Sequence, residues 1–146
     1  MKKILAIAVL FFAGAFAQPG ATVYQSCAGC HQTSGVGIPG VFPPLAGHIP
    51  QVLTAKGGRQ YLIKVVLFGL QGEIMVKGQK FNGSMPVFAS LKDADIAAVL
   101  NYISTQWGNK FPAGEKPFTD AEVKALRASK LTPAQVAEVR KKLGLK

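Results

Sequence analysis

Five consecutive residues carry the types and spacing best suited to chemistry: Cys27, Ala28, Gly29, Cys30 and His31. Two thiols three positions apart on one helical turn can each form a thioether with a vinyl group of the same porphyrin. His31 then lies under the iron and can donate a ring nitrogen to it. This C-x-x-C-H run is the attachment signature of c-type haem, and it contains both cysteines of the chain. The motif therefore predicts one covalently bound haem, with His31 as an iron ligand.

Three other interpretations of these residues are weaker. A redox dithiol is expected near a βαβ pattern, which the sequence lacks. A zinc site needs about four ligands. Cys27, Cys30, His31 and His48 could supply them, but His48 stands alone, 17 positions after His31. A disulfide between the two cysteines would close a very small loop and contribute little to stability.

The first 17 residues have the pattern of an export signal. Two lysines open it, an apolar run follows, and Ala15–Ala17 forms an A-x-A cleavage site. We expect cleavage after Ala17 and a periplasmic or otherwise extracytoplasmic protein. An uncleaved anchor is the alternative, although the apolar run is shorter than the roughly 20 residues that a membrane span needs.

The chain is basic, with a formal net charge of +10 that falls to +8 without Lys2 and Lys3. The excess is spread along the chain, and no nucleic-acid-binding module is recognisable, so we expect no nucleic-acid partner. A cationic surface favours anionic partners or membrane surfaces through long-range steering. A generally solvated basic surface is the equally simple alternative.

The remaining sequence predicts mainly helices. Residues 20–30 form a short helix that ends in the attachment motif, and the Gly- and Pro-rich residues 32–58 form an apolar loop suited to covering a porphyrin face. Residues 59–70 predict a buried helix, and residues 73–81 predict a short strand or hairpin with its turn at a glycine. Apolar residues at helical spacing predict an amphipathic helix over 93–107.

The C-terminal tail is a separate unit by pattern. A linker rich in Pro and Gly precedes two capping boxes, Thr119–Glu122 and Thr132–Gln135, each of which opens a helix. Both helices are too short for stability alone, so we expect them to dock on the main domain, with a frayed basic tail as the alternative. The residues expected to pack are Val123, Leu126, Val136, Val139 and Leu143.

The iron needs a second ligand opposite His31, and the candidates are Met85, Met75, His48 or none. Met85 is favoured because Gly83 permits a tight backbone before it and a proline fixes the chain after it. Met75 lies in an alternating apolar segment, where a core role is commoner. His48 ends the Gly- and Pro-rich loop, where a hydrogen-bonded histidine is commoner than a ligand.

Together these features resemble the class I monohaem cytochromes c over residues 20–109. The resemblance rests on the attachment motif after a short helix, a P-x-L-x-G-like loop at 43–47, Met85 with Pro86 and Phe88, and the amphipathic helix that follows. The end of that helix and the capped tail are similar to the extended cytochromes c of thermophilic bacteria. Those proteins pass electrons to a haem–copper terminal oxidase.

The resemblance implies an all-α, cytochrome c-like fold in which the N- and C-terminal core helices cross. Gly20 and Tyr24 are then expected to meet Tyr102 at that crossing. It also implies that the Pro43 carbonyl accepts the imidazole N–H of His31, a bond that would fix the ring and make it a better donor.

Arg59 is a candidate partner for a haem propionate. It follows two glycines at the start of a predicted helix, and both its charge and the helix N-terminus favour an anion. A solvated arginine is the alternative.

We expect a cleaved signal (1–17), a cytochrome c domain (18–111) and a packed two-helix extension (112–146). The predicted function is that of a one-electron carrier and not an enzyme. It would be a monomer peripheral to the membrane, taking electrons from a quinol–cytochrome c oxidoreductase-type complex and passing them to the oxidase. A fixed cytochrome subunit of a dehydrogenase complex is the alternative, and a c-haem peroxidase or gas-binding protein is less favoured. The residues expected to form an apolar rim at the haem edge are Ala28, Val36, Ile38, Phe42 and Val87.

Overall fold

Residues 19–146, which the computed structural model describes, contain six helices and four short strands. The helices are α1 (Pro19–His31), α2 (Ile49–Thr54), α3 (Gly58–Phe68), α4 (Asp93–Ile103), α5 (Asp120–Arg127) and α6 (Pro133–Lys142). The strands are β1 (Leu70–Gln71), β2 (Ile74–Val76), β3 (Gln79–Phe81) and β4 (Ser84–Met85). In these residues no helix has both the length and the apolar character needed to cross a bilayer. The predicted export signal lies outside the described residues.

The four strands form two small antiparallel pairs that complete a mainly helical fold. Strands β2 and β3 form the predicted hairpin, with Ile74 opposite Phe81 and a turn at Lys77 and Gly78. Both turn residues have positive φ, which suits a two-residue hairpin. Strands β1 and β4 pair through Leu70 and Met85, a contact between segments well separated in the chain. The prediction of an all-α, cytochrome c-like fold with a short strand or hairpin near 73–82 is confirmed, and the β1–β4 pair is an additional feature.

Helices α1 and α4 cross at a glycine, as predicted. A Cβ atom built on Gly20 would lie 2.2 Å from the Ala98 carbonyl oxygen and 2.6 Å from the Tyr102 Cβ. Only glycine therefore lets the two backbones approach this closely. Beside this contact, the Tyr24 ring lies 5.4 Å from that of Tyr102 and 5.1 Å from that of Trp107, measured between centroids. The crossing places the attachment motif, at the end of α1, beside the core.

The C-terminal extension, residues 112–146, packs on this core through both of its helices. The two predicted capping boxes are formed, by Thr119 with Glu122 and by Thr132 with Gln135. Helix α5 contacts α3 and α4, while α6 contacts α3 and β1. Of the five residues expected to pack, Val123 and Val136 are fully buried, and the other three are partly buried against the core: Leu126, Val139 and Leu143. The helices are docked and not frayed.

The close approach at the α1–α4 crossing predicts opposite results for two glycines of the same helix. Gly20→Ala should lower the free energy of unfolding by about 1–3 kcal/mol, because the added methyl group meets backbone that must shift. Gly29→Ala should be neutral or add about 0.5–1 kcal/mol, because nothing lies within 4 Å of the new atom and alanine favours the helix. Denaturant unfolding of both variants measures the difference. Equal effects would contradict the proposed packing.

Candidate haem-binding site

A large apolar cavity lies at the centre of the fold. Its walls come from α1, residues 41–49, α3, the β2–β3 hairpin, residues 83–88, α4 and one residue of α6. Its volume is about 1160 Å³ when the space at its open mouth is included. The lining is mainly apolar, as is typical of ligand pockets, so the cavity has the character needed for a large, flat, apolar group.

The attachment motif lies on one wall of this cavity, where Cys27, Cys30 and His31 all line the space. Burial, with a smaller effect from Cys30, raises the pKa of the Cys27 thiol to about 11. Reactive dithiols need the opposite, a lowered pKa, so the site does not suit thiol exchange. The described residues also contain no group of three or more His, Cys, Asp or Glu side chains that could hold a metal ion, which leaves the zinc interpretation without support. Two thiols facing an apolar cavity do suit thioether bonds to a porphyrin.

A hydrogen bond orients the buried ring of His31. Its Nδ1 lies 2.9 Å from the Pro43 carbonyl oxygen, as the resemblance implied. A carbonyl can only accept, so Nδ1 carries the proton and Nε2 keeps its lone pair. Burial lowers the pKa of His31, while the bond to Pro43 opposes that change. The ring is therefore a neutral, fixed imidazole, the form that binds iron.

Asn109 holds the loop that carries Pro43, a role the sequence analysis missed. Its Oδ1 accepts from the Gly47 backbone N–H at 2.8 Å, and its Nδ2 donates to the carbonyls of Leu45 at 3.0 Å and Ile103 at 2.8 Å. The side chain is buried, so three bonds satisfy it and tie the loop to the end of α4. The available signal was an asparagine directly after Gly108, where the pattern predicts a helix over 93–107 to end; the helix itself is shorter and ends at Ile103.

The candidates for the second ligand occupy different places. Met85 lines the cavity, whereas Met75 does not. Met75 lies between Ile74 and Val76, which do line it, as the alternation of side chains along a strand requires. Met85 is held by the β1–β4 pairing. The segment before it packs tightly, because a Cβ built on Gly83 would lie 2.3 Å from the Val41 carbonyl oxygen.

His48 also lines the cavity, but both of its ring nitrogens already have partners. Nε2 lies 3.2 Å from Nη2 of Arg140, and Nδ1 lies 3.1 Å from Oε1 of Gln51. Since an arginine only donates, Nε2 accepts and the proton is on Nδ1. Burial lowers the pKa of His48 to about 4, and the charges of Arg140 and Lys77 act in the same direction. The ring is neutral and has no free lone pair for iron.

Comparison with known proteins agrees with this geometry. Residues 17–107 match the cytochrome c family. The chain belongs to that family. Over 148 aligned residues it is 60% identical to cytochrome c-552 of Thermus thermophilus, and the match covers all of both chains. A second Thermus thermophilus cytochrome c-552 is 64% identical over 87% of this chain and 98% of the relative.

More distant relatives belong to larger proteins. The cytochrome c subunit of a quinone-dependent alcohol dehydrogenase from Gluconacetobacter polyoxogenes is 38% identical over 75% of this chain but only 22% of the relative. As a member of the cytochrome c family, the protein binds one covalently attached haem c and carries electrons; it is not an enzyme. Cys27 and Cys30, the chain's two cysteines, lie in the attachment motif on the cavity wall.

The structure gives Arg59 a different role from the predicted contact with a propionate. The residue does not line the cavity. Its guanidinium donates to both carboxylate oxygens of Glu122 at 2.7 and 2.9 Å, to Glu115 at 3.0 Å, and to the backbone carbonyls of Lys116 and Pro117. Partners more than 50 residues later in the chain thus occupy the group, and the cytochrome uses it to hold the extension.

The Arg59–Glu122 pair predicts a specific acid sensitivity. The hydrogen bonds from Arg59 are the main reason why the pKa of Glu122 falls to about 2. A carboxyl group with a pKa lowered in the folded state stabilises it above the unfolded value near 4.5, and the contribution is lost as the pH falls towards 2. Glu122→Gln keeps a residue that can complete the capping box, so it removes mainly the ion pair.

We expect Glu122→Gln to lower the free energy of unfolding by about 1 kcal/mol at pH 6, a value reduced for solvent screening because the side chain is 38% exposed. The difference from the unmodified cytochrome should shrink between pH 4.5 and 2. Urea unfolding across this range measures it. Glu138→Gln is the matched control, since its pair with Lys141 is 61% and 64% exposed and should contribute little. A difference that does not vary with pH would contradict the assignment.

Proposed function

We propose that the cytochrome is a one-electron shuttle whose haem iron is held by His31 and Met85. The observation that carries the proposal is that the side chains of these two residues line the same apolar cavity. Met75 does not line it, and the Nε2 lone pair of His48 is engaged by Arg140. A neutral imidazole and a thioether are the ligand pair typical of electron-transfer cytochromes c.

The residues of the chain position the haem and tune its reduction potential. When bound, the haem supplies the one-electron chemistry. His31 is held in one tautomer by Pro43, and Met85 is held by the β1–β4 pairing. Two protein ligands leave no open position for oxygen or a substrate, which argues against a peroxidase or a gas-binding protein. A thioether ligand and apolar cavity walls favour the ferrous state and raise the reduction potential.

An exposed apolar rim supports electron transfer through the haem edge. Val36, Ile38, Val41 and Val87 are the large apolar side chains that the described residues leave exposed, by 37–57%. Val41 also lines the cavity, and Ile38 pairs with the cavity-lining Phe42. Of the predicted rim, Ala28 and Phe42 are partly buried. An apolar surface beside the cofactor suits brief, close contact with a redox partner.

For the partners, we propose a quinol–cytochrome c oxidoreductase-type donor and a haem–copper terminal oxidase as acceptor. The support is full-length similarity to cytochrome c-552 and a basic surface that suits acidic docking sites. The protein would act as a monomer outside the cytoplasm, peripheral to the membrane, after cleavage behind Ala17.

A fixed dehydrogenase subunit is the second candidate, because cytochrome subunits of alcohol dehydrogenases are among the relatives. Those proteins are several times longer than the matched region, whereas the cytochromes c-552 match along their whole length. This difference favours the shuttle. Size-exclusion of the protein from its native host distinguishes a free monomer from a subunit of a complex.

The ligand assignment predicts contrasting results for two methionines. Met85→Ala should lower the reduction potential and let the iron bind cyanide or carbon monoxide, because the thioether is lost. Met75→Ala should change neither property, since its side chain does not line the cavity. Redox titration and visible spectra measure both effects. If the two variants exchange these results, Met75 is the ligand.

The rim predicts a position-dependent effect of one added charge. Val36→Lys should reduce the second-order rate of electron transfer to the terminal oxidase about tenfold, because about 1.4 kcal/mol is lost when an unpaired charge is desolvated at the contact. Ala125→Lys adds the same charge on the exposed side of α5 and controls for long-range steering. Stopped-flow oxidation of both variants, over a range of salt concentrations, tests the rim. Equal rates for the two variants would show that the electron-transfer surface lies elsewhere on the protein.

A further inference from the structure

Arg140 is a buried cation on the wall of the haem cavity. It comes from α6, in the extension, and is only 4% exposed. Its Nη2 donates to the Met75 carbonyl at 2.7 Å and to Nε2 of His48 at 3.2 Å. The guanidinium carbon lies 5.6 Å from the centroid of the Tyr61 ring. These contacts fix the group firmly, but every one of them is with a neutral partner.

No carboxylate of the described residues forms an ion pair with Arg140. The chain has seven acidic residues, all of them within the described range, and five are paired with other cations: Glu73, Asp93, Glu115, Glu122 and Glu138. Neither of the other two, Asp95 and Asp120, lies within ion-pair distance of it. The main-chain oxygen of Lys146 accepts from the Lys77 backbone N–H at 3.1 Å, and it forms no ion pair with Arg140 either. Lys77 itself adds a second positive charge facing His48.

A buried charge without a counter-ion is costly, by several kcal/mol even after relaxation. Arg140 is buried beside a neutral His48 on an otherwise apolar wall, and the exposed Lys77 adds positive charge nearby. The buried charge therefore calls for an anion inside the cavity. Haem c carries two propionate groups, and it is the molecule that this cavity holds. We propose that Arg140 is the counter-ion of one haem propionate, and that His48, Met75 and Tyr61 position its guanidinium for that contact.

The neutral partners fit this role. His48 accepts from Arg140 while its Nδ1 donates to Gln51, so the ring orients the arginine without neutralising it. The Met75 carbonyl takes another guanidinium proton. Both bonds come from Nη2, so the Nε–H and the two Nη1–H groups are left to donate to a carboxylate. The extension would thereby contribute directly to the cofactor site.

The test measures the titration of the two haem propionates directly. Their carboxyl carbons can be labelled by growing the producing cells on ¹³C-labelled 5-aminolevulinic acid, and the reduced, diamagnetic holoprotein can be titrated by NMR. In the unmodified cytochrome we expect one of the two carboxyl signals to titrate well below the usual range of carboxyl pKa values, because Arg140 stabilises its ionised form. Two carboxyl groups that both titrate in the usual range would overturn the proposal, and this measurement needs no variant.

Arg140→Gln should raise the proton affinity of that same carboxyl group by at least about tenfold and leave the other unchanged. Arg140→Lys keeps the charge and should largely preserve the low value. Arg127→Gln is the matched control, because Arg127 pairs with Asp93 and does not line the cavity. The other titratable groups that face the guanidinium, His48, Tyr61 and Lys77, are the same in every variant. If Arg140→Gln folds with haem attached and both signals keep their unmodified titration, Arg140 has a structural role only and the proposal fails.

Discussion

The hydrogen bond from His31 to the Pro43 carbonyl is the constraint on which the rest of the site depends. It fixes the tautomer and angle of the imidazole, and it requires the Pro43 loop to stay within 2.9 Å of the end of α1. Asn109 ties that loop to the end of α4, and α4 crosses α1 at Gly20. The contacts therefore close a ring around the cavity. The position of His31 therefore depends on the close α1–α4 contact at Gly20 as well as on the Pro43 loop.

The partly buried Arg59 and the buried Arg140 have distinct electrostatic roles. Arg59 meets two carboxylates of the extension and stacks on Phe118, with its guanidinium carbon 4.2 Å from the ring centroid. It is locally neutralised and holds polypeptide to polypeptide. Arg140 meets only neutral groups and faces the cofactor cavity. Three of the seven carboxylates, those of Asp93, Glu115 and Glu122, join segments distant in the chain, and none of the seven pairs with the cation at the cavity.

Local patterns made the covalent chemistry and most elements predictable. The attachment motif, the capping boxes and the hairpin are each encoded within a few neighbouring residues, so their physics is visible in the sequence. Met85 could be favoured over Met75 for the same reason, since the alternation around Met75 already indicated a strand whose other face is buried. The crossing of Gly20 with Tyr102 depends on distant residues and came only through the family resemblance.

The errors and omissions share one physical cause, which is long-range pairing. Arg59 sits where an anion is expected, but the anion is Glu122, 63 residues later, and no local pattern identifies it. Asn109 looks like an ordinary helix-end residue until the loop at Gly47 is brought against it, 62 positions away. Arg140 lies 92 positions from His48 in a helix with two other basic residues in its last turn. Helical spacing does place Arg140 on the face of Val136 and Leu143, but it does not identify His48 as the partner.

The extension therefore does more than cover the core. Its first part supplies the partners of Arg59, and Asn101 of α4 exchanges two hydrogen bonds with the Phe118 backbone, at 2.6 and 3.0 Å. These bonds hold the chain directly before α5, which packs on α3 and α4, while α6 packs on α3 and β1. The packing of α6 brings Arg140 to the Met75 carbonyl. Arg59 does not line the cavity, but its ion pairs hold the first part of the same extension that carries Arg140. Attachment of the extension and the electrostatics of the cofactor site are in this way parts of one arrangement.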